Sequence, residues 1–326
     1  MTATRLVPVE TLQRIVETAS RAPSVHNTQP WRWRGGPRTL ELFADRTHQL
    51  SETDPLGRNL TISCGAALHH AQVAAAALGW STGVVRHPDA AQPDLLAALE
   101  LSPGTPSPTA SETLAAIATR RTDRRRFNTW PVPEERQAHL ARIANQWDAR
   151  AVALTDESER YIAERLVRRA AEHQREDPAA RAEQERWPQR QAGDGVPAGA
   201  LPAPSDRAGA HPHRFEGTVW EDHPGPEVEA TDGLIVFFDT RDDPPAWLRA
   251  GEGLSAMWLA AEEGGLSLVP LSQVIEVAET RRAFQVEVLG SLAHPLLLVR
   301  VGWRSTAGTS LAPTPRRTVS EVLDLA

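Results

Sequence analysis

Two clusters of arginine are the groups in this sequence best suited to bind an anion. One lies at residues 120–124 (RRTDR) and the other at residues 316–317 (RR), near the C-terminus. A guanidinium group binds a phosphate through two parallel hydrogen bonds, and the hydroxyl group of a threonine adds a further donor. An arginine run is also common on a solvated surface or at the C-terminal end of a helix, so the pattern alone does not define a site. The candidate phosphate ligands are Arg120, Arg121, Thr122, Arg124, Arg316 and Arg317.

A polar loop, APSVHNTQPW (residues 22–31), is a second candidate binding element. Its residues Ser24, Asn27 and Gln29 offer both hydrogen-bond donors and acceptors, as a ligand with a polar edge requires. The same residue types also stabilise loops through local hydrogen bonds. The loop by itself is therefore consistent with either role.

The composition limits the chemistry that these groups can perform. The chain has 326 residues with 35 basic and 42 acidic side chains, and none of the basic ones is lysine. A lysine Schiff base and a P-loop lysine are thereby excluded, and any cation that binds phosphate must be arginine. The net charge of −7 argues against nucleic-acid binding, which needs a basic face.

Cysteine and histidine do not suggest a metal site. The single cysteine, Cys64, cannot form a disulfide framework or a cysteine-based zinc site within the chain, and we interpret it as a small buried residue. His69 and His70 are adjacent on a predicted helix and therefore point in different directions. His211 and His213 lie in a segment without periodicity. We expect no metal.

The sequence also lacks several targeting and catalytic signatures. The N-terminus has no apolar core of the signal-peptide type, and no stretch approaches the length that a membrane helix needs. We expect a cytoplasmic protein with no membrane partner. The motifs G-x-G-x-x-G and G-x-S-x-G are absent, so neither a dinucleotide-binding turn nor a nucleophile elbow is predicted.

Hydrophobic periodicity predicts a mixture of helices and strands that would position these groups. Residues 95–102 fit either a strand or a short helix. Helices are expected at residues 9–22, 60–78, 111–119, 131–146, 156–176 and 251–264, and strands at residues 38–46, 81–88, 149–154, 233–240 and 295–303.

Residues 174–230 lose periodicity and are interpreted as a lid or a disordered insertion, because long stretches without structure are unusual inside a compact domain. The insertion contains Trp187, Phe215 and Trp220, which could cover a bound ligand or simply pack the insertion itself. The predicted organisation is a first half at residues 1–101, a linker at 102–112 rich in proline, serine and threonine, and a second half at 113–326 that carries the insertion.

The chain contains a weak internal repeat. Residues 65–81 align with residues 251–267, and both segments begin with glycine and contain further matched alanines, a leucine and a serine. The helix at residues 10–22 likewise resembles the one at 133–145. Alanine-rich amphipathic helices resemble one another by composition, which is the alternative explanation. A true duplication would produce a fused dimer in which one chain does the work of two symmetric copies.

The motifs together resemble those of the nitroreductase family. Its members carry a loop of the form APS-x-x-N-x-QPW, a cluster of the form R-R-S-x-R, and a glycine–aromatic pair that precedes a P-[KR]-x-R segment. The corresponding segments here are residues 22–31, 120–124, 302–303 (GW) and 315–317 (PRR). The combination is similar in particular to the Acg-type, dormancy-associated branch of the family.

This resemblance implies an FMN cofactor and an α+β fold. The expected nitroreductase-like fold has two fused homologous halves, each a mainly antiparallel sheet flanked by helices, which together mimic a homodimer. The arginines named above would bind the flavin phosphate. The resemblance places the flavin ring against a further set of residues, namely Pro23, Ser24, Asn27, Gln29, Pro270, Leu271 and Ser272.

The order of the motifs departs from the family pattern. In ordinary members the arginine cluster precedes the loop, and two chains share each flavin. Here the first half has the loop without the cluster, whereas the second half has the cluster but reads ANQW (residues 144–147) where its own loop would lie. We therefore expect one FMN per chain, bound between the halves of a monomeric pseudo-dimer.

Two functions remain open on the sequence alone. The first is an oxidoreductase in which flavin N5 accepts a hydride from NAD(P)H and electrons pass to a nitroaromatic compound or a quinone; no catalytic protein side chain is then required. The second is a flavin-binding or flavin-sequestering protein with little turnover, whose insertion excludes the donor. The sequence leaves open whether NAD(P)H reduces the flavin.

Overall fold

The computed structural model describes residues 6–124, 127–187, 195, 228–304 and 313–325. Helices and strands alternate through both halves, as expected from the hydrophobic pattern. The helices are α1 (Val9–Ala19), α2 (Arg58–Ala77), α3 (Ala110–Thr119), α4 (Glu134–Asn145), α5 (Glu157–Glu176), α6 (Pro178–Arg186), α7 (Pro244–Glu263), α8 (Gln273–Glu276), α9 (Ala278–Glu287) and α10 (Val319–Val322). The strands are β1 (Trp31–Gly35), β2 (Thr39–Ala44), β3 (Trp80–Arg86), β4 (Leu95–Pro103), β5 (Ala151–Ala153), β6 (Gly233–Asp239), β7 (Leu266–Pro270), β8 (His294–Trp303) and β9 (Leu323–Leu325).

The strands form two sheets with the same internal order. The first sheet runs β3-β4-β2-β1-β9 and the second runs β5-β6-β8-β7, so that β3-β4-β2-β1 corresponds in order to β7-β8-β6-β5. All pairings among these eight strands are antiparallel. A register shift also occurs at corresponding places, between β2 and β4 and between β6 and β8. The architecture is therefore α+β, as expected.

The long helices α2 and α7 cross at the centre with their backbones in contact. A Cβ atom built on Gly65 would lie 2.1 Å from the carbonyl oxygen of Leu248, and one on Gly251 would lie 2.0 Å from that of Ile62. Both positions therefore require glycine. One turn further on, the Nδ1 atom of His69 lies 2.8 Å from the hydroxyl oxygen of Ser255. The sequence repeat aligns Gly65 with Gly251 and His69 with Ser255. The two helices therefore contact each other through equivalent positions, as in a local pseudo-twofold arrangement.

Each sheet buries residues that its sequence pattern marks as apolar. In β1 the tryptophans Trp31 and Trp33 point into the core while Arg32 and Arg34 point outward. Helix α1 buries Leu12, Ile15, Val16 and Ala19 against the same core. Strands β6 and β8 are buried on both faces, because α4 and α7 cover one side and α5, α8 and α9 cover the other. Such strands read as continuous apolar runs rather than as alternating ones.

The last residues of the chain return to the first half. Strand β9 pairs in parallel with β1, with Leu323 opposite Trp33. The segment that precedes β9 therefore crosses from the second half to the first, and it brings Arg316 and Arg317 beside the loop that follows α1. The expected boundary at residue 101 therefore separates the strands of the two sheets with one exception. Strand β9, at the end of the chain, belongs to the first sheet.

Several predicted boundaries differ from the structure. The expected insertion at 174–230 begins with the end of α5 and the whole of α6, which starts at Pro178 because Asp177 accepts hydrogen bonds from two N–H groups of its first turn. Residues 95–102 belong to strand β4, and the expected linker includes the end of β4 and the start of α3. Phe215 and Trp220 lie outside the described residues, as do His211 and His213.

In the described part of the chain no helix has both the length and the apolar composition of a membrane span. The same residues contain no group of three or more histidine, cysteine, aspartate or glutamate side chains placed to hold a metal ion. Cys64 is buried, and its thiol donates to the carbonyl oxygen of Pro30 at 3.1 Å. Burial raises the pKa of this thiol, so Cys64 is an inert core residue.

Candidate functional site

A cavity of about 650 Å³ lies where three distant segments meet. Its walls come from the end of α1 and the following loop, from the end of α3 with residues 120–124, and from the segment that leads to α10. These are the segments that the motifs single out. The predicted residues that line it are Pro23, Ser24, Asn27, Arg120, Arg121, Thr122, Arg124, Arg316 and Arg317.

Arg120 is a buried cation with unused donors. Its side chain is only 5% exposed, and its Nε and Nη1 atoms have no hydrogen-bond partner. Its Nη2 atom donates to the carbonyl oxygen of Arg21 at 3.3 Å, and its guanidinium group stacks over Trp258 at 4.7 Å. Burial, reinforced by the charge of Arg316, lowers the pKa of Arg120 to about 9. Burying a charge without a partner is costly, so this geometry fits an anionic ligand.

Arg316 approaches from the C-terminal segment and is held in place by the loop after α1. Its Nη1 atom donates to the Oδ1 atom of Asn27 at 3.0 Å, while its Nε atom is buried without a partner. Burial, with the charges of Arg121 and Arg21, lowers the pKa of Arg316 to about 10. The cavity therefore gathers several positive charges that repel one another, and a bound anion would relieve that repulsion.

The negative charge near this cluster is small in the described part of the chain, where Glu262 only partly offsets the lowering of the Arg120 pKa. Among its described lining residues Glu17 is the one carboxylate, and it makes no ion pair with the described arginines. A phosphate group carries nearly two negative charges and several acceptor oxygens. The donors of Arg120, Arg121 and Arg316, together with the hydroxyl of Thr122, fit such a group.

Arg317 has a different environment from Arg316, although both line the cavity. Its Nη1 atom donates to the carbonyl oxygen of Gln29 at 3.0 Å and pairs with the carboxylate of Asp45 at 3.3 Å. Its backbone N–H donates to the Oε1 atom of Gln29 at 2.9 Å. These protein acceptors already hold the guanidinium group, so the geometry gives Arg317 a bracing role rather than the phosphate contact expected from the sequence.

The loop after α1 has an unusual backbone. His26, Asn27 and Gln29 all have positive φ angles of 48–55°. Residues other than glycine adopt a positive φ angle at a cost of about 1–3 kcal/mol each, and such residues cluster at functional sites. The loop is held by the side chain of Asn27, which donates to the carbonyl oxygens of Pro315 and Gly195. Gln29 is fully buried and lines neither cavity in the described structure, so it braces the loop instead of offering its amide to a ligand.

A smaller cavity of about 70 Å³ adjoins the first and shares Pro23, Ser24, Thr122 and Arg124 with it. Of the predicted turn after β7, Pro270 and Ser272 line this space. Leu271 does not, because its side chain packs into the core and its N–H donates to the carbonyl oxygen of Leu298 at 2.7 Å. The remaining lining residues are Val25, His26, Asn59, Ile62, Ser63, Leu254, Trp258 and Leu297.

Sequence reasoning missed several residues at this site. Asn59 and Ser63 lie one turn apart on α2, where polar residues interrupt an otherwise apolar helix, and that spacing is the signal that could have identified them. Trp258 is almost fully buried, and its indole Nε1 atom has no partner. Ser20 lines the larger cavity with an unpartnered buried hydroxyl oxygen. No sequence signal distinguishes Trp258 or Ser20 from ordinary core residues.

The fold and the site define a class of protein: an α+β chain with a cavity between its halves that is suited to a phosphate-bearing ligand. The sequence profile of the nitroreductase family matches residues 2–34 and 117–303. The chain is also 39% identical to the protein named "Putative NAD(P)H nitroreductase Rv3131" of Mycobacterium tuberculosis, over 98% of this chain and 93% of that one. The chain therefore belongs to the nitroreductase family.

The chain is also similar to a second relative and, more distantly, to a solved structure. The chain is 31% identical to the protein named "Putative NAD(P)H nitroreductase acg" of Mycobacterium tuberculosis, over 97% of this chain and 96% of that one. This relative confirms the resemblance to the Acg-type branch. The crystal structure of the FMN-dependent nitroreductase NfnB from Mycobacterium smegmatis in complex with NADPH is 17% identical and covers 67% of this chain and 99% of that one, with a TM-score of 0.42.

Proposed function

We propose that this chain is an FMN-dependent oxidoreductase that holds a single FMN between its two halves. The observation that carries the proposal is the pair formed by the buried Arg120 and the half-buried Arg316, whose unpartnered donors face a cavity that continues into a narrow slot against α2 and α7. The family membership of the chain supports the choice of flavin as the ligand.

The residues divide into two groups by their position along the cavity. At the wide end Arg120, Arg121 and Arg316 would bind the phosphate, and Asn27 orients Arg316 toward it. At the narrow end the lining residues Pro23, Ser24, Pro270, Ser272 and Trp258 would enclose the ring, with Arg124 between the two ends.

FMN, when bound, supplies the redox chemistry by taking up a hydride and passing electrons on, so the protein needs no acid or base of its own. The protein residues bind the cofactor, orient it and exclude water from it. The names of the relatives support NAD(P)H as the donor, and we propose a nitroaromatic compound or a quinone as the acceptor.

We further propose that the chain is a fused duplication that acts as a monomer in the cytoplasm. The matching strand orders of the two sheets and the contacts of aligned residues across α2 and α7 support duplication. In the second half the position of the first-half loop is taken by Trp147, which packs edge-on against His69 with ring centres 4.3 Å apart. That side of the central helices is filled by protein, which supports one flavin per chain rather than two.

A second candidate function, flavin binding with little turnover, is favoured by the attachment of the expected insertion to the site. Gly195 accepts a hydrogen bond from the side chain of Asn27, and its N–H donates to the carbonyl oxygen of Asn27 at 3.2 Å. The buried carboxylate of Glu183 on α6 accepts hydrogen bonds from the backbone N–H groups of Glu52 and Thr53. Two described residues of the expected insertion, Glu183 and Gly195, are thus hydrogen-bonded to the first half, and Gly195 contacts a residue that lines the cavity.

The experiment that tests the proposal is a flavin assay followed by anaerobic reduction. Purified protein should release about one FMN per chain, and its flavin absorbance should bleach rapidly on addition of NADPH or NADH. A flavin that dithionite reduces and that nicotinamides do not reduce would favour the second function. A protein that neither contains nor takes up FMN would contradict both.

A further inference from the structure

A groove of about 300 Å³ continues from the phosphate end of the larger cavity along the surface. The two spaces share Glu17, Arg21, Ile117 and Ala118 as lining residues, so they join where the proposed phosphate would lie. A volume of this size is at the lower end of the range that small-molecule sites occupy. The larger cavity therefore does not end at the phosphate but opens into additional space.

The groove combines positive charge with an apolar wall. Arg14 lies on α1 and Arg21 lies in the turn that follows it; both are exposed and make no ion pair with the described residues. The opposite wall is formed by Ala77 and Leu78 at the end of α2 and by Leu114 on α3. Guanidinium groups bind phosphate, whereas a smooth apolar wall suits a flat ring.

A carboxylate completes this set of groups. Glu17 lies about one turn after Arg14 on α1, before Arg21 in the following turn, and it lines both the groove and the cavity. A carboxylate accepts hydrogen bonds from hydroxyl or amino groups, such as those of a ribose or of an amino-substituted base. A phosphate, a sugar and a flat base are the three parts of a nucleotide.

We propose that this groove is an adenylate subsite adjoining the flavin phosphate. This inference rests on the proposed function, because the flavin phosphate defines one end of the subsite. The adenylate could be the second half of a flavin adenine dinucleotide, joined through the phosphate at Arg120 and Arg316. It could also belong to a separate dinucleotide that binds beside FMN. Both ligands would place the same adenylate group against Arg14 and the apolar wall at Ala77.

The test compares three ligands on the purified protein. The apoprotein is titrated with FMN and with FAD, and the FMN-loaded protein is titrated with AMP, all by calorimetry. FMN binding tests the proposed function by itself. We expect FAD to bind the apoprotein about as tightly as FMN does, or AMP to bind the FMN-loaded protein; the first result identifies a flavin tail and the second a separate nucleotide.

Two variants test whether the groove is responsible. Arg14→Glu reverses a charge in the groove, and Ala77→Arg fills it; neither residue lines the cavity proposed for FMN. Either change should weaken the adenylate ligand about tenfold or more and leave the FMN affinity within about twofold. Arg282→Glu, an exposed charge reversal on α9, is the matched control and should change neither.

Two results would overturn the proposal. In the first, FMN binds the wild-type protein, but neither FAD nor AMP binds at the highest ligand concentration that its solubility allows. In the other, FAD or AMP binds equally well to wild type, Arg14→Glu and Ala77→Arg. A failure of FMN itself to bind would instead contradict the proposed function and, with it, the subsite.

Discussion

The two sides of the α2–α7 crossing are built from matching elements, but the buried charges on each side have different partners. On the side of Arg120 a buried guanidinium group stacks on Trp258 and has donors without protein acceptors. On the other side Arg86 forms two hydrogen bonds, of 2.7 and 3.0 Å, with the fully buried carboxylate of Glu252. Gln72, which the repeat aligns with Trp258, donates to the same carboxylate at 2.9 Å.

The difference shows how one framework can support a ligand site on one side and a closed core on the other. The Arg86–Glu252 pair is an internal anion–cation pair, so that side needs no ligand to balance its charge. His69 and Trp147 close the same side, and burial lowers the pKa of His69 to about 3, so its ring is neutral. Among the described residues no carboxylate forms an ion pair with Arg120, so an entering anion would supply that partner.

The first way to break this comparison is to remove the unpaired cations. Arg120→Ala combined with Arg316→Ala should weaken FMN binding by about 3–6 kcal/mol, because each lost hydrogen bond to a charged group is worth about 1.5–3 kcal/mol. Titration of apoprotein with FMN, followed by flavin fluorescence, measures the loss. The stability of the apoprotein should change little, since the lost hydrogen bonds are offset by the removal of two cations that make no ion pair with the described residues and have unpartnered nitrogens. Unchanged FMN affinity would refute the phosphate assignment.

The matched change on the closed side is Arg86→Ala. It leaves Glu252 buried without its cation, and removing one partner of a buried pair costs about 3–5 kcal/mol of stability. Urea unfolding should show this loss, while flavin analysis should still give about one FMN per chain. A variant that takes up a second FMN would show that the ion pair blocks a latent site, and a variant with unchanged stability would contradict the role given to Glu252.

The helix crossing that both sides share can be tested by adding one methyl group. Gly251→Ala would place a Cβ atom 2.0 Å from the carbonyl oxygen of Ile62, so the helices must separate. We expect a loss of about 3 kcal/mol in stability, the upper part of the range for overpacking, together with weaker FMN binding. Gly265→Ala is the control for added side-chain volume, since no atom lies within 4 Å of its Cβ position, although its positive φ angle carries a smaller cost. Equal effects of both changes would contradict a tight crossing.

The smallest expected effect is a pH dependence of the stability, to which one buried carboxyl group in each half contributes. Burial raises the pKa of Asp54 and that of Asp232 to about 6 each. Both groups keep a proton in the folded state up to about pH 6 and lose it near pH 4 when unfolded. Their contribution to stability is therefore larger at pH 4 and decreases as the pH rises to 6, by at most about 1.4 kcal/mol per pH unit for each group.

Asparagine variants distinguish the contributions of the two carboxyl groups to this pH dependence. Asp54→Asn should remove part of the slope with little other cost, since its side-chain oxygen can still accept from the N–H group of Leu60. Asp232→Asn should remove a similar part and should also lower stability above about pH 6, where the wild-type carboxylate is ionised and lies 3.5 Å from the buried Arg300. Urea unfolding between pH 4 and 7 distinguishes these outcomes. An unchanged slope in both variants would show that neither carboxyl group titrates as described.

Much of the site could be predicted because its residues are consecutive in sequence. The loop at residues 22–31 and the cluster at 120–124 are contiguous motifs, and both line the cavity with most of their predicted members. Gln29 and Leu271, also predicted as ligand residues, line neither cavity, because a motif does not reveal which side of a loop or turn faces inward. Trp258 and Ser20 were missed, since they belong to helices whose other residues are ordinary core.

The sequence by itself determined the family, the α+β class and the set of arginines available for an anion, because these depend on residue types and local spacing. Only the tertiary structure decided which of those arginines are unpaired. Arg317 is neutralised by Asp45, which lies 272 positions away in the chain, and Arg86 by Glu252, which lies 166 positions away. In the part of the chain that the structure describes, no carboxylate pairs with Arg120 in this way. Local sequence cannot distinguish these three guanidinium groups, because burial and a distant carboxylate, rather than neighbouring residues, set the charge balance around each one.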